Sequence, residues 1–336
     1  MTDRITLDIA SAELPMADVF LPMMKSAALI SAGQLGLFQA LAEGPLEVAT
    51  LAARLGCAES GVTRLADLLV SVGYLMREGP CLANAPQAAR WFTAQGEVDY
   101  TAGLLWSGEA WGLMATLSDC VREGGPRVSL WERMESNPAW GPIFSRYMNA
   151  FARHLGPDLL RHVPLPTSAR RLLDLGGSHG LHAMAFCDRY PALEAVIVDQ
   201  ASALADTPQA LRDAGMAGRI RTVAGDLRDA DWGGDYDVVL FLSVMHNQSA
   251  EDNRRSVHRI AKALRPGGVL VIHEYPADAP LSAYDAAFRV TLLTETGTGT
   301  HTASALMGWL AAAGFGTPRR VNLDPLEKGT LFIASR

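Results

Sequence analysis

"RRLLDLGGSHGLHAMAFCDRY", residues 170–190, decides the fold. Leu172, Leu173 and Leu175 make a run too short for a helix and bounded by glycine, which predicts a buried strand. Gly176, Gly177 and Gly180 then make a turn, and the residues up to Tyr190 carry helical spacing. A strand, a glycine-rich turn and a helix in that order mark the first unit of a wound α/β sheet.

The pattern continues to the end of the chain. "EAVIVD" predicts a second strand, followed by a helix near 202–214 and a third strand in "IRTVAGD". "YDVVLFLSV", the helix "AEDNRRSVHRIAKALR" and "GVLVIHEY" come next. A helix at about 302–313 and two closing strands, "GTPRRVNL" and "GTLFIAS", complete the series. Apolar strands separated by helices of this length predict a parallel, doubly wound sheet, here with a terminal hairpin strand.

Ahead of residue 165 the chain reads as helical. "VFLPMMKSAALISAGQLGLFQALAEG" is apolar nearly all round, as a helix buried against more than one surface would be. "EVATLAARLGCAESGVTRLADLLVSVGYLMREGPCLAN" reads as a helix stopped at Gly56, a second helix capped by Ser60 and a strand pair around "REGP", a winged helix-turn-helix. Its second helix sets one arginine, Arg64, against one aspartate, Asp67, whereas DNA affinity needs clustered cations. Dimerisation or a lid is therefore the preferred role, and nucleic acid is not an expected partner. The division predicted is a helical winged-helix domain over 1–100, a pocket-lining helical linker over 101–165 and a Rossmann-like catalytic domain over 166–336. In the linker, Trp106, Phe144, Tyr147 and Met148 are candidate acceptor contacts.

The whole chain has 336 residues, 49% hydrophobic and 19% charged, with a net charge of −7. That length suits more than one core, and the negative charge argues mildly against a polyanionic partner. No apolar run reaches the ~18 residues that span a bilayer. The opening "MTDRITLDIASAELP" lacks the basic and apolar parts of a secretory signal. Cys57, Cys81, Cys120 and Cys187 are widely spaced and form no CxxC pair, which suits reduced thiols in the cytoplasm. A cytoplasmic enzyme is the expectation.

The turn at 174–180 departs from a dinucleotide fingerprint, because Ser178 and Leu181 stand where glycines are required. It still lets backbone approach a ligand closely at the carboxyl end of the first strand. Asp199 ends the second strand, where a carboxylate can take both hydroxyls of a ribose. Asp226, after the third strand, is placed to accept from the exocyclic amine of adenine. Together these residues suit an adenosine without phosphates.

The glycine loop, the second-strand acid, the third-strand "GD", "LRPGG" before the fifth strand and the final hairpin strand resemble the class I S-adenosylmethionine-dependent methyltransferases. With the helical front half, the chain is similar to small-molecule O-methyltransferases of the caffeate type and their bacterial natural-product relatives. The resemblance implies cofactor contacts among Asp174, Gly176, Gly177, Gly180, Asp199, Gln200, Asp226, Leu227 and Ser243. It also implies a homodimer formed by the front helices, and S-adenosyl-L-homocysteine as the product of the cofactor. It places the catalytic histidine at His246 and the acid that orients it at Glu274, with Met245 and Asn247 lining the acceptor pocket.

The residues support that pairing on their own terms. His246 follows the fourth strand in "SVMHNQSAEDN" and Glu274 ends the fifth in "VIHEY", so neighbouring parallel strands would bring them side by side. A phenol of pKa near ~10 is a poor nucleophile until its proton leaves, and an imidazole titrating near ~6.5 can take it. A carboxylate on the other ring nitrogen fixes the tautomer. Where the family carries Asp-Trp after the histidine, this chain has Asn247-Gln248, and Thr300 stands where plant members carry a second acid, with Glu295 nearby but off register. Transfer to carbon or nitrogen on the same scaffold therefore stays open. So do metal-assisted transfer to a 2-oxo acid, a DNA-binding regulator and a dimer that has lost catalysis. His179, His182, His246, His273 and His301 show no paired metal-ligand spacing, and no metal is expected.

Overall fold

The computed structural model describes residues 15–96, 98–278, 281–323 and 329–336. The opening segment read for a secretory signal lies outside them but for Pro15. The chain divides into two compact units, 1–110 and 111–336. The stretch 101–165, expected as a separate linker, is shared between them.

In the first unit the helix Val48–Leu55 stops at Gly56, whose φ of 64° is left-handed. The next helix runs Glu59–Ser71. Ser60 is not its cap: Ala58 holds the N-cap position and Glu59 opens the helix, its carboxylate beside the positive end of the helix dipole. Strands Leu75–Glu78 and Cys81–Asn84 form the wing, and Leu46–Glu47 adds to its edge. Leu37, Phe38, Leu51, Leu69 and Leu82 are buried together beneath. Each such side chain contributes about 1.5–3 kcal/mol. The preceding helix, Pro15–Gln34, keeps Val19, Phe20, Leu21 and Met23 exposed.

The second unit is built on a seven-stranded sheet. Its strands are β1 Arg171–Leu175, β2 Glu194–Asp199, β3 Ile220–Ala224, β4 Tyr236–Leu242, β5 Leu264–Glu274, β6 Arg319–Asn322 and β7 Thr330–Ser335. They lie in the order β3-β2-β1-β4-β5-β7-β6. The first five are parallel, and the closing hairpin is antiparallel. The predicted doubly wound sheet is therefore present. Its strands alternate between two cores: Val239 and Phe241 of β4 join Leu270 and Ile272 of β5 on one face, while Val238 and Leu240 join Val271 on the other. Both faces are covered, which is why these strands read as continuous apolar runs.

The helix predicted near 202–214 begins only at Thr207. Residues 201–206 are turns, and Pro208 occupies its first turn, where a missing N–H does no harm. The last helix, Ala303–Ala312, is capped by the Thr302 hydroxyl. No described helix is long and apolar enough to cross a membrane. The four cysteines are all unbridged.

Candidate active site

The order of strands reverses between β1 and β4, and the carboxyl ends of an open parallel sheet form a crevice at such a point. On the β1 side Gly176 has φ 75°, and its amide bonds to the Val198 carbonyl of β2 at 2.8 Å. A Cβ there would run into the Val244 Cγ2 methyl, with Leu227 Cδ1 at 3.8 Å. Glycine is the residue that fits this backbone. Gly180, φ 73°, is the N-cap of the helix Leu181–Arg189.

Asp199, at the end of β2, accepts from the Ser178 amide at 2.9 Å and from the Gln200 amide at 2.7 Å. Burial raises its pKa against the pull of those two amides. Asp174 is 1% exposed. Burial, and then the charge of Asp199, push its carboxyl up to about 7. Its Oδ2 has no hydrogen-bond partner among the described residues. A cleft with these carboxyls suits a ligand that carries positive charge.

Beyond β3, both oxygens of Asp226 are taken by the Arg228 guanidinium, at 2.6–3.1 Å. Arg228 lowers the pKa of Asp226. Sequence reasoning missed the residue that holds this loop in place. Arg259, from the helix Ala250–Ala263, donates to the carbonyls of Leu227, Arg228 and Ala230, and its guanidinium lies 3.8 Å from the centroid of the Trp232 ring.

After β4 the chain passes through Ser243, which has an unusual φ of 57° and shares a 2.8 Å hydrogen bond with His273 Nδ1. It then makes a single 3-10 turn, Met245–Asn247, before Ser249 caps the next helix. His246 Nδ1 lies 2.9 Å from Glu274 Oε2, and the His246 amide donates to Oε1 at 3.3 Å. Both side chains are buried, at 7% and 3% exposure. Burial pushes Glu274 upward, but the charge and hydrogen bond of His246 outweigh it and its pKa lies below the ordinary value. A carboxylate at Nδ1 selects the Nδ1–H tautomer and leaves the Nε2 lone pair available.

Two further contacts seat the imidazole. The Phe288 ring meets it edge-on at 5.1 Å, and Thr298 Oγ1 donates to the His246 carbonyl at 2.6 Å. Neither was visible in the sequence, because both come from elements more than 40 residues downstream of His246. His273, next to Glu274, bonds to Ser243 and lies 6.0 Å from the Phe151 ring, as alternation along a strand requires. Of the other histidines, His179 is pushed down to about 4 by burial and by Arg153. His182 is pushed well below its ordinary value by burial, then by His179 and His273. His301 is held by Asn253 at 2.9 Å. Among the described residues no group of three or more His, Cys, Asp or Glu is arranged to hold a metal ion.

The expected acceptor contacts separate. Phe144, Tyr147 and Met148 are half-buried on one helix, Trp140–His162, and Asn247 is half-buried next to His246. Met245 is fully buried in the core, so its side chain supports the turn from beneath and does not present itself to a ligand. Trp106 is buried and belongs to the first unit. Gln248 and Thr300, the positions that depart from the family pattern, each carry a buried oxygen with no hydrogen-bond partner among the described residues.

Two family models match the chain: an O-methyltransferase domain over residues 114–316 and an O-methyltransferase dimerisation domain over residues 17–95. A 3-hydroxy-5-methyl-1-naphthoate 3-O-methyltransferase of Streptomyces sahachiroi is 27% identical, over 91% of this chain and 90% of that protein. The N,N-dimethyltransferase OxyT of Streptomyces rimosus is 26% identical over 75% of each. In fold, the structure of human N-acetylserotonin methyltransferase in complex with SAM (S-adenosylmethionine) superposes with a TM-score of 0.86. It covers 97% of this chain and 98% of its own at 21% identity.

Proposed function

This chain belongs to the O-methyltransferase family, and from that premise we propose that it transfers a methyl group from S-adenosylmethionine to a hydroxyl of a small aromatic acceptor, with His246 as general base. The observation that carries the reading is the 2.9 Å His246–Glu274 pair at the crevice end of neighbouring strands. A nitrogen acceptor is the weaker candidate, because a neutral amine attacks through its lone pair without first losing a proton, whereas a hydroxyl needs a base of this kind.

When bound, S-adenosylmethionine supplies an electrophilic methyl on a sulfonium leaving group. Gly176 would let the backbone pass close to it, Asp199 would take its ribose hydroxyls, and Leu227 would pack beside its adenine. Asp226 would accept from the adenine amine, for which it would share or release Arg228. Asp174, Gly177, Gly180, Gln200 and Ser243 shape the rest of the cradle, and the carboxyls complement its positive charge. His246 Nε2 would take the acceptor's hydroxyl proton and so make the oxygen nucleophilic. Glu274 holds the Nδ1 proton and stabilises the imidazolium that results. Phe144, Tyr147, Met148 and Asn247 wall the acceptor side. The dimerisation domain makes a homodimer of two such chains, and the place of action is the cytoplasm.

The test is transfer from labelled cofactor to phenols, hydroxyquinones, amines and 2-oxo acids, for wild type and His246→Ala, with and without chelator. The expected product is a methyl ether, reduced by about 10²-fold or more in the variant and indifferent to chelator. A carbon-methylated product, or activity abolished by chelator, would overturn the reading.

A further inference from the structure

The turn that carries His246 is a single 3-10 turn closed by two backbone bonds. The Asn247 amide donates to the Val244 carbonyl at 3.0 Å, and the Gln248 amide to the Met245 carbonyl at 3.1 Å. Bonds of this kind have poorer geometry than those of an α-helix, so the turn leans on side chains. The peptide that joins Met245 to His246 is gripped at both ends. Its N–H, that of His246, donates to Glu274 Oε1 at 3.3 Å. Its oxygen, that of Met245, accepts from Asn253 Nδ2 at 2.9 Å.

Asn253 is fully buried, in the first turn or so of the helix Ala250–Ala263, where its own amide bonds to the Ser249 carbonyl at 3.0 Å. A carbonyl only accepts, so the side-chain atom that faces Met245 is the amide nitrogen. That nitrogen also lies 2.9 Å from His301 Nε2. Both of its hydrogens are then used, and His301 Nε2 is an acceptor, with the ring proton on Nδ1. Asn253 Oδ1 has no hydrogen-bond partner among the described residues, so the two N–H bonds alone orient the amide. His301 is in turn fixed by its surroundings. Its ring meets Trp309 edge-on at 5.0 Å, and its carbonyl accepts from the Ala277 amide at 2.9 Å.

Resting on the function proposed above, we infer that Asn253, oriented by His301, is a positioning residue for the reaction: it fixes the Met245–His246 peptide and with it the direction in which the imidazole presents Nε2. Small misplacements of a reacting group are costly, and a shift of about 1 Å can slow a reaction by about 10²-fold. Neither residue touches the His246 ring, so each acts through the backbone of the turn.

The experiment compares Asn253→Ala, His301→Phe and His301→Gln with wild type, in transfer to phenols of falling pKa and in calorimetric binding of S-adenosylhomocysteine. Asn253→Ala should lower kcat on an ordinary phenol by about tenfold or more, with acceptor KM and cofactor affinity within about threefold. The deficit should shrink on a nitrophenol already ionised at the assay pH, because that acceptor needs no base. His301→Phe removes the acceptor at Nε2 and should also lower kcat, whereas His301→Gln, whose side-chain carbonyl can reach the same place, should keep most of it. Asn253→Ala combined with His301→Phe should be no slower than Asn253→Ala alone, because both changes act through one amide. In wild type at pH 8, nitrogen-15 NMR of the imidazoles should show His301 as the Nδ1–H tautomer, a readout that needs no acceptor. An unchanged kcat in Asn253→Ala, an equal deficit on every phenol, additive losses in the double variant or an Nε2–H tautomer at His301 would each overturn the inference. His246→Ala, run alongside, keeps the two readings apart. If it transfers as wild type does, the base assignment fails; if it is inactive while Asn253→Ala matches wild type, only the role of Asn253 fails.

Discussion

The turn after β1 and the turn after β4 face the same crevice and are made by different means. The first is defined by backbone: a left-handed Gly176, an amide bond across to β2, and a Cβ position already claimed by Val244. The second is defined by side chains from four separate elements. The 3-10 turn supplies His246, β5 supplies Glu274, the helix Ala283–Glu295 supplies Phe288, and the segment beyond it supplies Thr298. A backbone site binds by shape and tolerates changes around it, whereas a side-chain site depends on every partner that orients the reacting group.

The largest effect should come from breaking the second turn. Glu274→Gln keeps the shape but loses the charge that holds the Nδ1–H tautomer, and kcat should fall by about 10³-fold or more. Cofactor affinity, measured by calorimetry, should stay within about threefold, because the cofactor end does not use Glu274. A joint loss of both would erase the contrast drawn here.

Next in size is Asp174. Its folded pKa, about 7, lies above the unfolded value. Between roughly pH 4 and 7 the folded chain therefore holds a proton that the unfolded chain has released, and stability falls as pH rises through that window. The ionised, buried group at pH 8 represents a penalty on the order of 4 kcal/mol. Asp174→Asn should flatten that decline, seen as a smaller difference in denaturant midpoint between pH 5 and pH 8, and should weaken cofactor binding. An unchanged slope would show that the carboxyl is ionised in the folded chain at all these pH values.

Gly176→Ala should weaken cofactor binding about tenfold or more and lower stability by about 1–3 kcal/mol, since alanine is strained at this φ and meets Val244. Residual transfer at saturating cofactor should keep its pH dependence, because His246 and Glu274 are untouched. The smallest effect belongs to Arg228→Ala. Freeing Asp226 from an exposed ion pair, of the kind worth about 0–1 kcal/mol, should tighten cofactor binding by no more than about fivefold. Weaker binding would mean that Arg228 itself contacts the cofactor.

Periodicity reports what each segment buries, so the sheet, the winged hairpin and the helices between strands were legible from residues 170–190 outward. The acids at strand ends and the His246–Glu274 spacing were legible too, because parallel neighbours in register translate a sequence distance into a spatial one. Local details failed where tertiary packing overrode propensity. Ser60 gave way to Ala58 at the cap, the helix near 202 began at Thr207, and Met245 turned inward to the core. Arg259, Phe288 and Thr298 carry no motif, and nothing in their own segments says what they face.

By itself, then, the sequence determined the architecture, the glycine turn and the pairing of His246 with Glu274, because strand order and register follow from short-range pattern and chain connectivity. Only the tertiary structure decided how Asp174 titrates, what holds the loop at Asp226, and which groups surround His246. Those depend on burial and on contacts between side chains far apart in the chain, quantities that no local pattern encodes.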